Sequence, residues 1–272
     1  MTLDLQNVSC GYGEKVIQKN ISFSVHSGEI CCLLGPNGVG KTTLFKTMLG
    51  FMKRLDGKIS LDGQDIAKLP LKKLAKQFGY VPQAQGAPFP YTVEEVVTMG
   101  RIAHMGLFSS PSKKDRQIAG QIMETLQIDY LKNQIYTEIS GGEKQMALIA
   151  RALAQQPAFL VMDEPTANLD FGNQIRVLRQ IKRLAEQGLG IIMTTHFPDH
   201  AFQCRSKVVL LQRGKPFLFG EARDVVTEEN LRSAYGVDVK VTEIPVGMRH
   251  VCACIPLMEE ETSKEDTHVS AL

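Results

Sequence analysis

The sequence contains no apolar run of about 18 or more residues, the length that a membrane-crossing helix requires. Its longest apolar stretches, around residues 30–34 and 159–162, are of strand length and end in glycine or acidic residues, so the chain is not expected to span a bilayer. The opening MTLDLQNVSC has neither the basic start nor the apolar centre of a secretory leader, and a cytoplasmic location is expected. A disulfide framework is missing as well. Cys10, Cys31, Cys32, Cys204, Cys252 and Cys254 are scattered, and the adjacent Cys31 and Cys32 lie in an apolar run where they would act as small hydrophobes. Cys252 and Cys254 alternate with apolar neighbours and have no second pair at zinc-site spacing, which reads as a packed strand. Charge of one sign is also scarce: the 272 residues carry a formal net charge of +2. The clusters Lys72, Lys73, Lys76 and Lys113, Lys114, Arg116 lack interleaved aromatics, so they read as solvated helix faces and no nucleic-acid partner is expected.

What is present is a hydrophobic content of 43%, enough for an ordinary buried core in one large domain or two small ones. No internal repeat or low-complexity linker divides the chain, but its pattern changes. Up to about residue 83 it is β-rich, with alternating segments at residues 3–8 and 58–61 and turn signals at Gly11-Tyr12-Gly13 and Asp62-Gly63. From residue 92 to about 155 it is helical. Thr92 and Glu95 have capping-box spacing, and Ile118, Ile122 and Leu126 recur every four residues. After Pro157 come an apolar strand, a helix over residues 171–187 closed by Gly188, and another apolar strand, GIIMTTH. That succession is βαβ and predicts a parallel sheet. A hairpin is expected over residues 207–219 and a short helix over 228–235, ended by Gly236, while the polar stretch EEETSKEDTHVSAL is expected to fray.

The strand-like residues 29–34 run into Gly35-Pro36-Asn37-Gly38-Val39-Gly40-Lys41-Thr42, and the helix-compatible TTLFKTML follows. This is G-x-x-x-x-G-K-[ST] in its required strand–loop–helix context. The glycines let backbone N–H groups converge on phosphate oxygens, with the positive end of the helix behind them. Lys41 reaches the β and γ phosphates, and Thr42 offers its hydroxyl to Mg²⁺. The apolar residues 159–162 lead into Asp163-Glu164, at the carboxyl end of a strand, where α/β proteins bind ligands. Asp163 is read as holding the Mg²⁺ shell and Glu164 as the general base that polarises the attacking water. Ser140-Gly141-Gly142-Glu143 opens a helical run with capping-box spacing. From those residues alone an ordinary capped helix is the simpler reading; the alternative is a second anion site. One nucleotide seldom needs two γ-phosphate sites in one chain, so a head-to-tail dimer is the economical resolution.

Taken together, these residues resemble the ABC (ATP-binding cassette) transporter ATPases over nearly the whole chain. The motifs stand in family order: Walker A at residues 35–43, the Q-loop Gln83, the signature at 140–145, Walker B at 159–164, the D-loop at 167–170 and the H-loop His196. The resemblance implies an α/β P-loop NTPase cassette with a RecA-like core, an antiparallel β part and an inserted helical subdomain at about residues 86–156. Residues 1–240 would form the cassette and 241–272 a hairpin-like extension with a polar tail. It further implies that Tyr12 stacks on adenine, that Gly35, Asn37, Gly38, Gly40, Lys41, Thr42 and Thr43 bind ATP, and that Thr42, Gln83 and Asp163 surround Mg²⁺. Glu164, His196 and Lys41 would act in catalysis, with His196 on the γ-phosphate. Ser140, Gly141, Gly142 and Asp170 would close the site from a second copy. Two departures are visible, Ile139-Ser140 for Leu-Ser with Glu143 for Gln, and Ala167-Asn168-Leu169-Asp170 for Ser-Ala-Leu-Asp; both leave the working groups in place.

The stretch at residues 92–112 is similar to that of importers for iron-siderophore, haem and cobalamin complexes, and the short C-terminal extension fits them as well. The resemblance then implies a homodimer, peripheral on the cytoplasmic face of the membrane, with integral permease subunits and, indirectly, an external binding protein as partners. Two other readings of a cassette are a soluble ATPase acting on nucleic acid or ribosomes and a non-catalytic nucleotide sensor. The chain lacks the long coiled-coil insertion or second cassette of the first. The presence of Lys41, Asp163, Glu164 and His196 together argues against the second. An exporter cassette is the third alternative.

Overall fold

The computed structural model describes residues 1–83, 90–106, 109–247 and 249–257. The fraying expected of the tail, and residues 86–89 at the start of the expected helical insertion, lie outside them. The β-rich opening forms an antiparallel sheet from β1 (Thr2–Tyr12) and β2 (Lys15–His26). The chain then leaves this sheet through β3 (Ile30–Leu34) and α1 (Lys41–Met48), and returns in β4 (Asp56–Leu61) and β5 (Gln64–Asp65). The strand order is β2-β1-β4-β5. Asp62 and Gly63 both take positive φ, 45° and 80°, which lets the expected two-residue turn reverse the chain so that Leu61 faces Gln64.

After α2 (Leu71–Gln77) and β6 (Phe78–Val81) comes the helical part, with α3 (Val93–Thr98), α4 (Lys113–Thr125) and α5 (Gly141–Ala154). Thr92 and Ser140 each make a full capping box with the glutamate three residues on, as their spacing predicts. In α4 the most buried positions are Ala119 and Met123, followed by Leu126, while Ile118 and Ile122 are only half-buried. The inward stripe is rotated from the apolar repeat because small and flexible side chains fit against the closely packed α3 and α5.

The second half of the chain completes a six-stranded sheet. Its elements are β7 (Phe159–Met162), α6 (Phe171–Glu186), β8 (Gly190–Thr194), α7 (Asp199–Cys204), β9 (Lys207–Leu210) and β10 (Leu218–Glu221). There follow α8 (Ala222–Val225), α9 (Glu228–Tyr235) and a terminal hairpin of β11 (Val239–Val246) and β12 (Arg249–Pro256). The sheet order is β10-β9-β3-β8-β7-β6, parallel from β9 to β6, with β10 antiparallel at one edge.

Both faces of this sheet are covered, so β3 is buried at every residue. Its period of two divides it between two cores: Cys31 and Leu33 pack with the antiparallel sheet and α1, while Ile30, Cys32 and Leu34 pack with the helices. The adjacent cysteines thus fill opposite faces as small hydrophobes, and burial pushes the Cys31 thiol up to about 12. The helical part shares one continuous core with the sheet, Val97, Met123 and Met146 joining Met162 and Met193. For the site, the consequence is that the carboxyl ends of β3, β6, β7 and β8 all open at one rim.

Candidate functional site

The phosphate loop leaves β3 at Gly35 and enters α1 after Gly40. Only glycine fits either position. Gly35 has φ of 143° and a Cβ there would lie 2.5 Å from the Leu211 carbonyl oxygen; Gly40 has φ of 108° and a Cβ would lie 2.6 Å from Ile17 Cγ2. No side chain caps the N-terminus of α1, so its first amides are available to an anionic ligand. Lys41 is 6% exposed, and its Nζ donates to the carbonyl oxygens of Gly35 at 2.7 Å and Pro36 at 3.1 Å. Burial lowers the pKa of this ammonium, and the carboxylates of Glu164 and Asp163 work against that shift. From the side, the buried Gln18 donates to the Val39 carbonyl at 2.7 Å. Tyr12, 54% exposed, stands at the tip of the β1–β2 hairpin, whose second strand touches the loop through Ile17 and Gln18.

The end of β7 faces this loop. Thr42 Oγ1 donates to Asp163 Oδ2 at 3.4 Å, and Thr194 Oγ1 donates to Asp163 Oδ1 at 2.7 Å. The same Thr194 hydroxyl accepts the Glu164 N–H at 2.8 Å, and Glu164 takes φ of 49°, a left-handed conformation that turns its side chain back along the rim. One Glu164 oxygen contacts His196 Nε2 at short range, and Gln83 Nε2 donates to the other at 3.3 Å. Val81 of β6 pairs with Met162 of β7, which is why Gln83 arrives level with Glu164. Loop, acidic pair, glutamine and histidine therefore meet at one place, although 161 positions separate Gly35 from His196.

Thr194 and Gln18 carry no signal in their local sequence; the only hint of Thr194 is its place one residue before the end of the apolar run leading to His196.

His196 is held from behind. Phe197 N–H donates to Thr195 Oγ1 at 3.1 Å, and Thr195 Oγ1 lies 2.8 Å from His200 Nδ1. His200 is 5% exposed, and burial lowers its pKa from 6.5 to about 4, opposed by Asp199. Because the folded value lies below the unfolded one, the stabilisation from neutral His200 is complete above pH 6.5 and is lost as pH falls toward 4. Urea unfolding at pH 7 and pH 4.5 should therefore show a His200→Gln variant losing about 2 kcal/mol less than the parent between the two. Equal losses would contradict this account.

Ser140, Gly141, Gly142 and Asp170 form a separate cluster. Ser140 caps α5, Asp170 caps α6 through its 2.8 Å bond from Asn173 N–H, and Gly142 lies so close to Asn173 that a Cβ would stand 2.4 Å from its amide carbon. Among the described residues, no hydrogen bond of these four reaches the phosphate loop. Hydrogen bonds from Ser140 hold the Glu143 carboxyl below its ordinary range, so a carboxylate closes the helix cap where the family more often has glutamine.

A glycine-rich loop between a parallel strand and a helix, opposite an acidic strand end, places the protein among the P-loop nucleoside triphosphatases. The family profile of the ABC transporter matches residues 18–167. An uncharacterized ABC transporter ATP-binding protein of Haemophilus influenzae is 42% identical over 235 residues, covering 86% of this chain and 89% of that protein. The iron(3+)-hydroxamate import ATP-binding protein of Bacillus subtilis is 34% identical over 262 residues, covering 96% and 97%. A solved inward-facing ABC transporter, provisionally assigned to the metal-chelate type, superposes with a TM-score of 0.85 at 32% identity, covering 95% of this chain and 98% of that one. The chain belongs to the ABC transporter family, and it has that family's nucleotide-binding ATPase cassette. The α/β cassette implied by the motif order is thereby shown.

Proposed function

We propose that this chain energises an importer for a metal chelate of the iron-siderophore, haem or cobalamin type, acting as a homodimer bound to integral permease subunits at the cytoplasmic face of the membrane. An external binding protein would deliver the cargo. In this reading residues 1–240 form the cassette, about 86–156 the inserted arm, and 241–272 an appended segment. Support for the cargo class comes from the hydroxamate-import relative and the metal-chelate-type structure. Among the described residues no helix is long and apolar enough to cross a membrane, so a transport role needs a separate permease.

The observation that carries the coupling to a permease is an apolar groove of about 760 Å³ lined in part by β6, the strand that leads to Gln83. Phe51, Leu71 and Ile102 line it, each more than 60% exposed, together with Tyr80 of β6, three residues before Gln83. An apolar cytoplasmic segment of the permease seated there would touch the strand that delivers Gln83 to Glu164.

At the rim, Glu164 accepts a proton from water as its oxygen attacks the γ-phosphorus and the bond to the β-phosphate oxygen breaks. Gln83 and His196 hold the Glu164 carboxylate, and His196 also faces the departing γ-phosphate. Lys41 holds the β and γ oxygens, the loop amides hold the remaining phosphate charge, and Tyr12 stacks on the adenine. The Thr42 hydroxyl and the Asp163 carboxylate, 3.4 Å apart, are hard oxygen donors suited to Mg²⁺, and Gln83, bonded to the adjacent Glu164, would add its amide oxygen. When bound, that ion would neutralise charge on the phosphates. Ser140, Gly141, Gly142 and Asp170 would close over the ATP of the second copy, so that hydrolysis breaks the bridge between protomers.

The test is affinity purification of the tagged chain from detergent-solubilised native membranes, in parallel with Leu71→Glu. A polytopic membrane protein should accompany the parent and fall at least ~10-fold in the variant, whose nucleotide site is untouched. Recovery of ribosomes or repair factors alone would overturn the transport reading.

A further inference from the structure

The first residue of the phosphate loop is gripped from a distant part of the chain. Gly35 N–H donates to the Tyr235 hydroxyl at 2.9 Å across 200 positions of sequence. Tyr235 is the last residue of α9, and Gly236, with φ of 71°, ends the helix immediately after it. Leu231, one helical turn earlier, is buried in the same core against which Tyr235 packs, so the ring is set by packing from the helix side of the sheet. Burial pushes the Tyr235 hydroxyl up to about 12, which keeps it a neutral acceptor for the Gly35 amide.

Gly35 is also the residue whose carbonyl takes the 2.7 Å hydrogen bond from Lys41 Nζ. Its N–H and its C=O are therefore both committed, one to α9 and one to the ammonium that the phosphates require. A second tie from the same region reaches the next turn of the loop, where Arg213 donates to the Asn37 carbonyl at 2.8 Å. The segments that supply these ties are themselves joined: Ser233 Oγ of α9 donates to Gln212 Oε1 at 2.7 Å. At its other end α9 holds the terminal hairpin, since Glu228 Oε1 accepts the Val241 N–H at 3.1 Å and pairs with Lys240 at 3.0 Å.

We propose that Tyr235 is a positioning residue for nucleotide binding, which fixes Gly35, and through its carbonyl Lys41, and so ties the affinity of the phosphate loop to the placement of α9 and the C-terminal hairpin. The inference rests on the reading that this loop holds ATP. With Phe at position 235 the ring still fills its place, but the Gly35 amide loses a buried acceptor and its peptide is free to turn. Lys41 then loses its fixed anchor before the phosphates arrive. The loss falls on binding, since the groups that meet the attacking water are untouched.

The experiment compares ATP hydrolysis by the full chain, Tyr235→Phe and Ser233→Ala, the last loosening α9 without touching Gly35. The expected result is a KM for ATP raised about 5- to 20-fold in Tyr235→Phe with kcat within about 2-fold, and a smaller rise, about 2- to 4-fold, in Ser233→Ala, where α9 is looser but the Tyr235 hydroxyl is kept. Lower kcat at unchanged KM in Tyr235→Phe, or a rise in Ser233→Ala as large as that in Tyr235→Phe, overturns the proposal by reducing Tyr235 to a packing residue, and a parental KM in Ser233→Ala overturns the tie to α9. In the unaltered protein, ATP should slow hydrogen exchange of the α9 amides, and no change there would also overturn it. If the parent neither binds nor hydrolyses ATP, it is the nucleotide reading that fails.

Discussion

Glu164→Gln should bind ATP about as well as the parent chain yet hydrolyse it at least ~10²-fold more slowly, and should accumulate as an ATP-bound dimer on size exclusion. The amide is isosteric and retains an oxygen for the hydrogen bond from Gln83, while its NH₂ turns toward His196 Nε2, which accepts it in the tautomer protonated at Nδ1. It cannot take up the proton of the attacking water, and the loss of a positioned base is worth ~10²- to 10⁴-fold. Binding is expected to hold because the loop amides and Lys41 are untouched. Removing a carboxylate beside the site also lessens repulsion toward the phosphates. Turnover at the parental rate would remove Glu164 from the role of base, and loss of ATP binding would mean that the carboxylate holds the site together instead.

Lys41→Ala should fail earlier, in binding: ATP affinity is expected to fall by ~10²- to 10³-fold, measured by equilibrium dialysis without Mg²⁺ so that no hydrolysis intervenes. The ammonium is buried and held by two loop carbonyls, so its removal deletes a positive charge in a partly desolvated place and leaves those carbonyls without their donor. Lys41→Arg separates the two effects. It retains the charge but brings a planar fork where the Gly35 and Pro36 carbonyls fit a compact ammonium. Affinity for ATP within about threefold of the parent in the Ala variant would contradict this account.

Much of the site could be read from sequence because its chemistry is local. A glycine-rich loop between an apolar strand and a helix needs no tertiary information to suggest phosphate binding, and the capping boxes at Thr92 and Ser140 follow from one helical turn. The Asp62-Gly63 turn is of the same kind. What escaped the sequence acts across the fold. Thr194, Gln18 and Tyr235 are ordinary strand or helix residues, and their hydrogen bonds to Asp163, Val39 and Gly35 exist only because of sheet order and helix packing. Similarly, β6 is four residues in a stretch that reads as β-rich, and nothing in Phe-Gly-Tyr-Val indicates that it leaves the antiparallel sheet to pair with β7. The four-residue recurrence of Ile118, Ile122 and Leu126 announces the helix α4, but not that Ala119 and Met123 are buried with Leu126, because bulk is not what the contact with α3 and α5 selects.

The place of β3 in the sheet bears on how the chain comes to be folded at all. This central strand is synthesised early, but its two neighbours are β8 and β9, with Ile30 beside Ile191 and Cys31 beside Lys207. At ordinary elongation rates, roughly ten to thirty seconds separate the emergence of the phosphate loop from that of the strands that support it. During that interval a nucleotide has no formed cradle to stabilise, and an apolar strand waits unpaired. Contacts this distant in sequence also make the search slow once synthesis ends. Competence to bind ATP is thus acquired late and as a whole, and a chain broken off before β9 forfeits it even though every residue of the loop has already been made.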